Sequence, residues 1–297
     1  MHVKVECDRI LSEVIPKRKK RNAMLKPRLI ITDLDGTALR KDKTVSPATV
    51  QAFSRCQKAG ILIAIATARY IAGTRNICQL LHPDYQILTD GTLVYHGLEL
   101  IYSNAMDVDT TNKLLKELQR CGYGEHIAIP TIHGLFRYPE GCTDYTSLTS
   151  PSLNLEAPAF QTTEDGNTVG YHFDIEEVFP YAGNKLVVEL PSNEEAQRIA
   201  TLCGCKQFHY RGERLYTFYH PTASKLDAIR HVAEQIGISL KDILVFGDDV
   251  NDIEMIENCG LGVAMGNALP EVKEVADIVI GTNEEDGLAE YLNSLPL

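Results

Sequence analysis

Short apolar runs and amphipathic stretches alternate near both ends of the chain. The runs at 28–32 and 61–66 are rich in β-branched residues with few polar breaks, a pattern typical of buried parallel strands. Between them, Val50 and Phe53 recur at helical spacing. The pattern therefore predicts a strand–helix–strand unit, and we expect its crossover to be right-handed.

The limits of this first helix follow from its flanking residues. Ser46 suits the N-cap, and Pro47 suits the first helical position, where its missing N–H costs no hydrogen bond. Gly60 suits the left-handed position that commonly follows the end of a helix. We therefore predict a helix that begins at Pro47 and ends just before Gly60.

The C-terminal part of the chain repeats this alternation. Thr222 is predicted to cap a helix that carries apolar residues at helical spacing and stops at Gly237. Thr282 and Glu285 have the spacing of a capping box for the final helix. Later apolar runs predict strands at 243–246, 262–265 and 276–280.

The middle of the chain has a different pattern. Apolar residues at 93–95 and 99–102 flank a turn at 96–97 and predict a hairpin. The remaining predicted elements are helices near 110–121 and 193–202, strands at 186–190 and 214–218, and a loop-like segment at 139–168. Hairpins with interspersed helices indicate an α+β module inserted into an α/β core with a doubly wound, mostly parallel sheet.

Charge and composition exclude several classes of function. The formal net charge of −11 argues against nucleic-acid binding, and the basic run at 17–21 is interpreted as a solvated extension. No apolar run approaches the roughly eighteen residues of a membrane span, and the charged N-terminus does not resemble a signal peptide. The eight scattered cysteines are expected to be reduced. These features predict a cytoplasmic protein.

Acidic or hydroxyl residues follow three of the predicted strands directly. They lie at 33–37, 67–69 and 248–252. In doubly wound sheets, ligands bind at the carboxyl ends of the strands, so we expect the three segments to converge. A lone Asp-Gly after a strand is usually only a turn, whereas three such segments at one edge indicate a site.

Asp33 and Asp35 are the candidates for catalysis. Side chains alternate along extended backbone, so both carboxylates point to one side and repel each other unless a cation or a shared proton relieves them. Such a pair suits covalent catalysis, in which one carboxylate attacks and the other transfers protons. Thr37 can serve either the local backbone or the reaction itself.

The segment 248–252 supplies oxygen ligands of the kind that Mg²⁺ prefers, and one of its carboxylates can share an ion with Asp33. For Asp249, and partly for Asp252, loop solvation or N-capping is the alternative interpretation. Lys225 lies in the first turn of its predicted helix. A cation there opposes the helix dipole unless a phosphate or the Asp33 carboxylate offsets it.

In this order, the residues resemble the four motifs of the haloacid dehalogenase superfamily. The matching segments are Asp33-Leu34-Asp35-Gly36-Thr37, Thr67-Ala68-Arg69, Lys225 and Gly247-Asp248-Asp249-Val250-Asn251-Asp252. The closing stretch at 262–268, with Ala276-Asp277 and Glu285-Asp286-Gly287, is similar to the Cof-type sugar-phosphatase branch, subfamily IIB. The match covers roughly 28–91 and 219–297.

This resemblance implies the domain limits and the catalytic roles. It implies an N-terminal extension at 1–26, a Rossmann-like core at 27–91 and 216–297, and an inserted α+β cap domain at 92–215. Asp33 would be the nucleophile that forms an aspartyl-phosphate, and Asp35 would be the general acid and base. Mg²⁺ would be held by Asp33, by Asp248, by the backbone carbonyl of Asp35 and, in support, by Asp252.

The resemblance also implies the phosphate-binding residues, which would be Thr67, Lys225 and Asn251. Two positions depart from the family's pattern. Ala68 stands where the family usually has Gly, which restricts the approach of the backbone to a phosphate. Asp90 stands where Cof-type enzymes commonly have Asn, and a carboxylate near the substrate would repel acidic leaving groups or bind sugar hydroxyls.

The function implied is that of a magnesium-dependent phosphatase acting on small phosphorylated metabolites, sugar phosphates first, with flavin or pyridoxal phosphates as alternatives within the same chemistry. A phosphosugar mutase and a catalytically silent metabolite-binding protein on the same fold remain alternatives. Dehalogenation is disfavoured because it has no use for a general acid at Asp35. No nucleic-acid or membrane partner is expected, and the oligomeric state and the substrate-selecting residues of the cap stay open.

Overall fold

The computed structural model describes residues 26–124, 126–138, 141–144, 161–162, 168–169, 178–210 and 214–297. The predicted extension at 1–26 lies almost entirely outside these residues, as does most of the predicted loop at 139–168. Two strands nevertheless lie within that predicted loop, at Gly141–Asp144 and Gln161–Thr162, and a third, Thr168–Val169, begins at its last residue. In the part of the chain that is described, no helix is both long and apolar enough to cross a membrane.

The strands are numbered in chain order. They are β1 (Leu29–Thr32), β2 (Leu62–Ala66), β3 (Tyr85–Leu88), β4 (Leu93–His96), β5 (Glu99–Ser103), β6 (Ile127–Pro130), β7 (Leu135–Tyr138), β8 (Gly141–Asp144), β9 (Gln161–Thr162), β10 (Thr168–Val169), β11 (Leu186–Glu189), β12 (Lys206–His209), β13 (Leu215–Tyr219), β14 (Ile243–Gly247), β15 (Leu261–Ala264) and β16 (Ile278–Val279).

The α-helices are numbered in the same way. They are α1 (Pro47–Lys58), α2 (Arg75–Leu81), α3 (Val108–Arg120), α4 (Asn193–Cys203), α5 (Lys225–Gln235), α6 (Ile253–Asn258), α7 (Pro270–Val275) and α8 (Gly287–Ser294). The first helix has the predicted limits, since the Ser46 side chain accepts a hydrogen bond from the N–H of Thr49 and Gly60 has a φ of +81°.

The first sheet has eight strands in the order β16-β15-β14-β1-β2-β3-β4-β5. Its strands from β16 to β3 run parallel, and β1 pairs with β2 on one side and with β14 on the other. All four residues of β1 are buried, as expected for a central strand with helices on both faces. The prediction of an α/β fold with a doubly wound, mostly parallel sheet is confirmed.

The predicted hairpin forms as β4 and β5, but it joins the first sheet. Antiparallel pairing of β4 with β3 places both strands at that sheet's edge. The elements of the second sheet therefore begin after residue 103, later than the predicted cap limit at 92. The predicted domain limits themselves stay a prediction.

The second sheet has six antiparallel strands in the order β12-β13-β11-β6-β7-β8. Its apolar core is separate from that of the first sheet and includes Phe136, Phe179 and Phe218. Helices α3 and α4 contribute Leu114 and Ile199 to this core. An α+β module thus lies between the two stretches of chain that build the first sheet. Strand β13 belongs to it and extends to Tyr219, beyond the predicted limit at 215.

Two predicted helix caps differ from the structure. The N-cap of α5 is Ser224, whose side chain accepts a hydrogen bond from the N–H of Asp227, and not Thr222. Thr222 instead accepts a hydrogen bond from the side chain of Asn104. The Thr282–Glu285 capping box forms, but it caps the short 3₁₀ turn Asn283–Glu285, and the final helix starts later, at Gly287.

Candidate active site

The three polar segments that follow strands meet at one edge of the first sheet. Because β1, β2 and β14 are neighbours in parallel register, with Thr32 opposite both Ile65 and Phe246, the residues after them emerge side by side. Helix α5 directs its first residue, Lys225, into the same place. The structure thus brings together segments 33–37, 67–69 and 248–252, which lie far apart in sequence.

Lys225 is a buried cation between two carboxylates. Its Nζ donates 2.7 Å hydrogen bonds to Oδ1 of Asp33 and to Oδ1 of Asp252, and the residue is 1% exposed. Burial alone would lower the pKa of Lys225, but the two carboxylates raise it above its ordinary value, so the ammonium stays charged. These anions offset the unfavourable position of a cation at a helix N-terminus.

The carboxylates of Asp33, Asp248 and Asp252 form an acidic cluster, whose ligand atoms lie within 4.8 Å of one another. Burial raises the pKa of Asp33 well above its ordinary value, and repulsion from the other two carboxylates adds to this. Burial and the nearby Asp252 raise the pKa of Asp248 to about 7. One lysine does not balance three carboxylates, so the donor set fits a divalent cation with hard oxygen ligands.

Asp252 is the best anchored of the three. Its Oδ1 accepts from Lys225, and its Oδ2 accepts from the backbone N–H groups of Asp248 at 2.9 Å and Asp249 at 3.2 Å. Both oxygens are therefore engaged by the protein. This arrangement fits the supporting role expected for Asp252 beside Asp248.

Asp249 occupies the N-cap of the 3₁₀ turn Val250–Asp252, where its side chain accepts from the N–H of Val250. N-capping was the alternative interpretation of this residue. Its contacts therefore explain its presence without any role in metal binding.

The acidic loop after β1 is fitted closely against Asp248. The Thr37 hydroxyl donates a 2.7 Å hydrogen bond to Oδ1 of Asp248, so this side chain orients a candidate metal ligand. A Cβ at Gly36, whose φ is +86°, would lie 2.2 Å from Oδ2 of Asp248. Only glycine lets the two loops approach this closely.

Asp35 is held by two cations. Its carboxylate accepts hydrogen bonds from Arg69 Nε at 2.6 Å and Nη2 at 2.7 Å, and from Lys43 Nζ at 2.8 Å. Although partial burial raises the pKa of Asp35, these hydrogen bonds lower it below its ordinary value. In this arrangement Asp35 is an ionised proton acceptor, and it can donate a proton only after the cations release it.

The remaining candidate phosphate ligands also lie at this edge. The buried hydroxyl of Thr67 accepts a 3.2 Å hydrogen bond from the N–H of Arg69. The Asn251 amide donates a 2.9 Å hydrogen bond to Oδ1 of Asp90. Both residues line one cavity of about 420 Å³, together with Asp33, Asp35, Lys43, Ala68, Arg69, Lys185, Tyr210, Leu215 and Asp249.

Sequence reasoning missed Lys185 and Tyr210, which the second sheet contributes to the cavity. Lys185 Nζ lies 2.6 Å from Oδ2 of Asp90, and the Tyr210 hydroxyl donates to the same oxygen at 2.8 Å. The unusual Asp90 was the signal in the sequence, because a buried carboxylate requires a partner. Nothing local to residues 185 or 210 identifies that partner.

Asp90 itself sits in a strained turn. Thr89, Asp90 and Gly91 have successive φ values of +49°, +59° and +92°. A β-branched residue such as Thr89 rarely adopts this left-handed conformation. A Cβ at Gly91 would lie 2.2 Å from the carbonyl oxygen of Ser224, so the turn abuts the N-terminus of α5. Strain of this kind is concentrated at functional sites.

The chain is similar to known proteins over most of its length. A sequence model of haloacid dehalogenase-like hydrolases matches residues 30–292. The pyridoxal phosphate phosphatase YbhA of Escherichia coli (strain K12) is 29% identical over 297 residues, covering 90% of this chain and 98% of that protein. The 5-amino-6-(5-phospho-D-ribitylamino)uracil phosphatase YitU of Bacillus subtilis (strain 168) is 27% identical over 272 residues, covering 90% and 97%.

A solved structure shares the fold. The subclass IIB sugar phosphatase BT4131 of the same superfamily superposes with a TM-score of 0.71 at 20% identity, covering 90% of this chain and 98% of that chain. At this level of identity the similarity concerns the fold alone. The shared fold extends over most of both chains.

Proposed function

The chain belongs to the haloacid dehalogenase-like hydrolase family, and from that premise we propose that it is a magnesium-dependent phosphatase of small phosphorylated metabolites. One observation carries the proposal: Asp33 is ion-paired with Lys225 inside an acidic cluster, on a cavity that Asp35 also lines. Sugar phosphates are the first candidates, and the relatives' named substrates, pyridoxal phosphate and a phosphoribitylamino-uracil, are the next.

The reaction we propose has two steps. A carboxylate oxygen of Asp33 attacks phosphorus, the bond from phosphorus to the ester oxygen breaks, and that oxygen takes a proton from Asp35. Water then attacks the aspartyl-phosphate and gives its proton to Asp35, which releases inorganic phosphate and regenerates Asp33. Lys225 would orient Asp33 throughout, and Thr67 and Asn251 would bind phosphoryl oxygens.

The three carboxylates of the acidic cluster fit Mg²⁺, because one lysine does not balance their charge. Asp33 and Asp248 would hold it, with Asp252 in support and the backbone carbonyl of Asp35 as a further ligand. When bound, the ion would neutralise the charge of the phosphoryl group. The same charge would relieve the repulsion that raises the pKa values of Asp33 and Asp248.

Asp35 requires a change of partners in the first step. Arg69 and Lys43 keep it ionised, whereas a general acid must carry a proton. We infer that the phosphate of the substrate competes with Asp35 for these two cations. Loss of their hydrogen bonds would raise the pKa of Asp35 as the substrate binds, so the residue gains a proton when one is needed.

Phosphate release from a panel of sugar phosphates, pyridoxal phosphate and other monoesters, with and without Mg²⁺, tests this proposal. Asp33→Asn should lower kcat by roughly 10⁴-fold or more, as loss of a nucleophile does. Asp109→Asn, on the exposed first turn of α3, is the matched control and should retain full activity. Equal activity of Asp33→Asn and the wild type, or an inert wild type, would contradict the proposal.

Two alternatives have distinct outcomes in the same experiment. A phosphosugar mutase would convert a sugar phosphate to its isomer without net release of phosphate. A binding protein would be stabilised by a phosphorylated metabolite without turning it over. We also propose the cytoplasm as the location, since Cys56, Cys203 and Cys259 are buried free cysteines in the described part of the chain and cytosolic proteins keep their thiols reduced.

A further inference from the structure

Lys185 is a buried cation in the wall of the cavity that contains Asp33. It directly precedes β11 and is 3% exposed. Its three ammonium hydrogens have protein acceptors: Oδ2 of Asp90 at 2.6 Å, the hydroxyl of Tyr210, and the carbonyl oxygen of Ala68 at 3.5 Å. The ammonium is therefore fixed in place, and it acts on a bound ligand chiefly through its charge.

Asp90 is the counter-ion of this cation. Burial raises the pKa of Asp90, but the charge and hydrogen bond of Lys185 outweigh this effect. The pKa of Asp90 is therefore below its ordinary value, and the carboxylate is ionised. Its other oxygen accepts from Asn251, a candidate phosphate ligand. Because an unpaired charge is costly to bury, Asp90 and Lys185 form one neutral unit.

The two other cations on the described cavity wall share one carboxylate. Among the lining residues that the structure describes, Lys43 and Arg69 both contact Asp35. The phosphoryl group is expected to engage these two, as argued above. A second anionic group on the substrate would then meet Lys185, whose charge Asp90 already balances.

We propose that the buried Asp90–Lys185 pair selects against leaving groups that carry a second anionic group, because Asp90 cancels the cation that would otherwise attract them. This inference rests on the proposed phosphatase function and specifies its substrate class. The enzyme favours esters of neutral leaving groups. The selection is made by Asp90 on the core and Lys185 on the inserted module acting together.

The test compares two esters that differ mainly in one charge, glycerol 3-phosphate and 3-phosphoglycerate. The measured quantity is the ratio of their kcat/KM values. Asp90→Asn keeps the shape of the side chain, tolerates the left-handed backbone and still offers Lys185 an acceptor. It leaves the charge of Lys185 uncompensated, so the ratio should shift about tenfold toward 3-phosphoglycerate, the order expected of one charge across a partly solvated cavity.

A variant that removes the cation of the pair instead of the anion provides the control. Lys185→Met leaves Asp90 uncompensated, so the ratio should shift toward glycerol 3-phosphate. The double variant Asp90→Asn/Lys185→Met should return close to the wild-type ratio. A merely structural defect would lower both kcat/KM values together and leave the ratio unchanged. Unchanged ratios in both single variants would overturn the proposal.

The same comparison can be made without turnover. In an Asp33→Asn background, the ratio of the dissociation constants of the two esters should shift in the same directions. This measurement separates the two proposals: an inert wild type overturns the phosphatase function, whereas an unchanged binding ratio overturns the role of Asp90 and Lys185 even if the wild type is inert.

Discussion

Thr37 and Asp248 lie 211 positions apart in the chain, yet the hydroxyl of Thr37 donates a 2.7 Å hydrogen bond to Oδ1 of Asp248. This contact ties the loop of the candidate nucleophile to the loop of the candidate metal ligand. Hydrogen bonds to charged groups contribute roughly 1.5–3 kcal/mol, so its loss is measurable.

Thr37→Val should weaken the binding of Mg²⁺. Valine keeps the shape of threonine but leaves Asp248 without this donor, so we expect the Mg²⁺ concentration for half-maximal activity to rise about tenfold. Thr37→Ser retains the hydroxyl and should stay close to the wild type. A magnesium titration of phosphate release decides the matter, and equal midpoints for Val and Ser would contradict the orienting role.

The pH dependence of stability should report on Asp248. Its pKa is raised from an ordinary 3.8 to about 7, so ionisation costs the folded state progressively as pH rises through that interval. Mg²⁺ favours the ionised carboxylate and should therefore raise Tm more at about pH 8 than at about pH 5.5. Asp248→Asn should largely abolish this difference in thermal melts, and an equal Mg²⁺ effect at both pH values would contradict the assignment.

Lys225→Met should destabilise the fold and also abolish the phosphatase activity. The change leaves Asp33 and Asp252 buried without their shared cation, and breaking a buried pair in this way typically costs about 3–5 kcal/mol. Lys225→Met/Asp252→Asn removes one of the stranded charges and should recover part of that loss. Urea denaturation without Mg²⁺ measures both variants, and a double variant no more stable than the single one would count against charge repulsion.

Gly91→Ala and Gly60→Ala form a matched pair, since both glycines have a positive φ. At Gly60 nothing lies within 4 Å of the added Cβ, so only the backbone strain of about 1–2 kcal/mol is expected. At Gly91 the Cβ would collide with the carbonyl oxygen of Ser224, which should cost more and displace Lys225. Denaturation midpoints and kcat test this, and equal effects of the two variants would show that the turn yields easily.

The elements of the first sheet that carry the site could be predicted because their signals are local. Apolar runs mark β1, β2 and β14, and Ser46 with Pro47 marks the start of α1. That the hairpin β4–β5 belongs to the first sheet could not be predicted, because this depends on the pairing of β4 with β3. Likewise, the sequence predicted Thr222 as the cap of α5, whereas the path of the chain into the helix makes Ser224 the N-cap.

Some features of the candidate site could likewise be predicted from the sequence, and others could not. Candidate ligands at strand ends were predictable, since parallel strands deliver them to one edge. The engagement of Asp35 by Arg69 and Lys43 was not, although all three lie in or near the recognised motifs. The pairing of Asp90 with Lys185 spans 95 positions and depends on where the inserted module meets the core. The sequence indicated that Asp90 is an unusual carboxylate, but it did not indicate that Lys185 neutralises its charge.

The central position of β1 has a consequence for synthesis of the protein. As the chain leaves the ribosome, β1 and β2 emerge early, whereas β14 follows only after the whole inserted module. Until Ile243–Gly247 is available, one side of β1 is an unpaired, apolar strand edge of the kind that promotes aggregation. Closing that edge also delivers Asp248 and Asp252 to Asp33. The nascent chain therefore gains its candidate metal ligands and covers this exposed strand edge in the same late folding event.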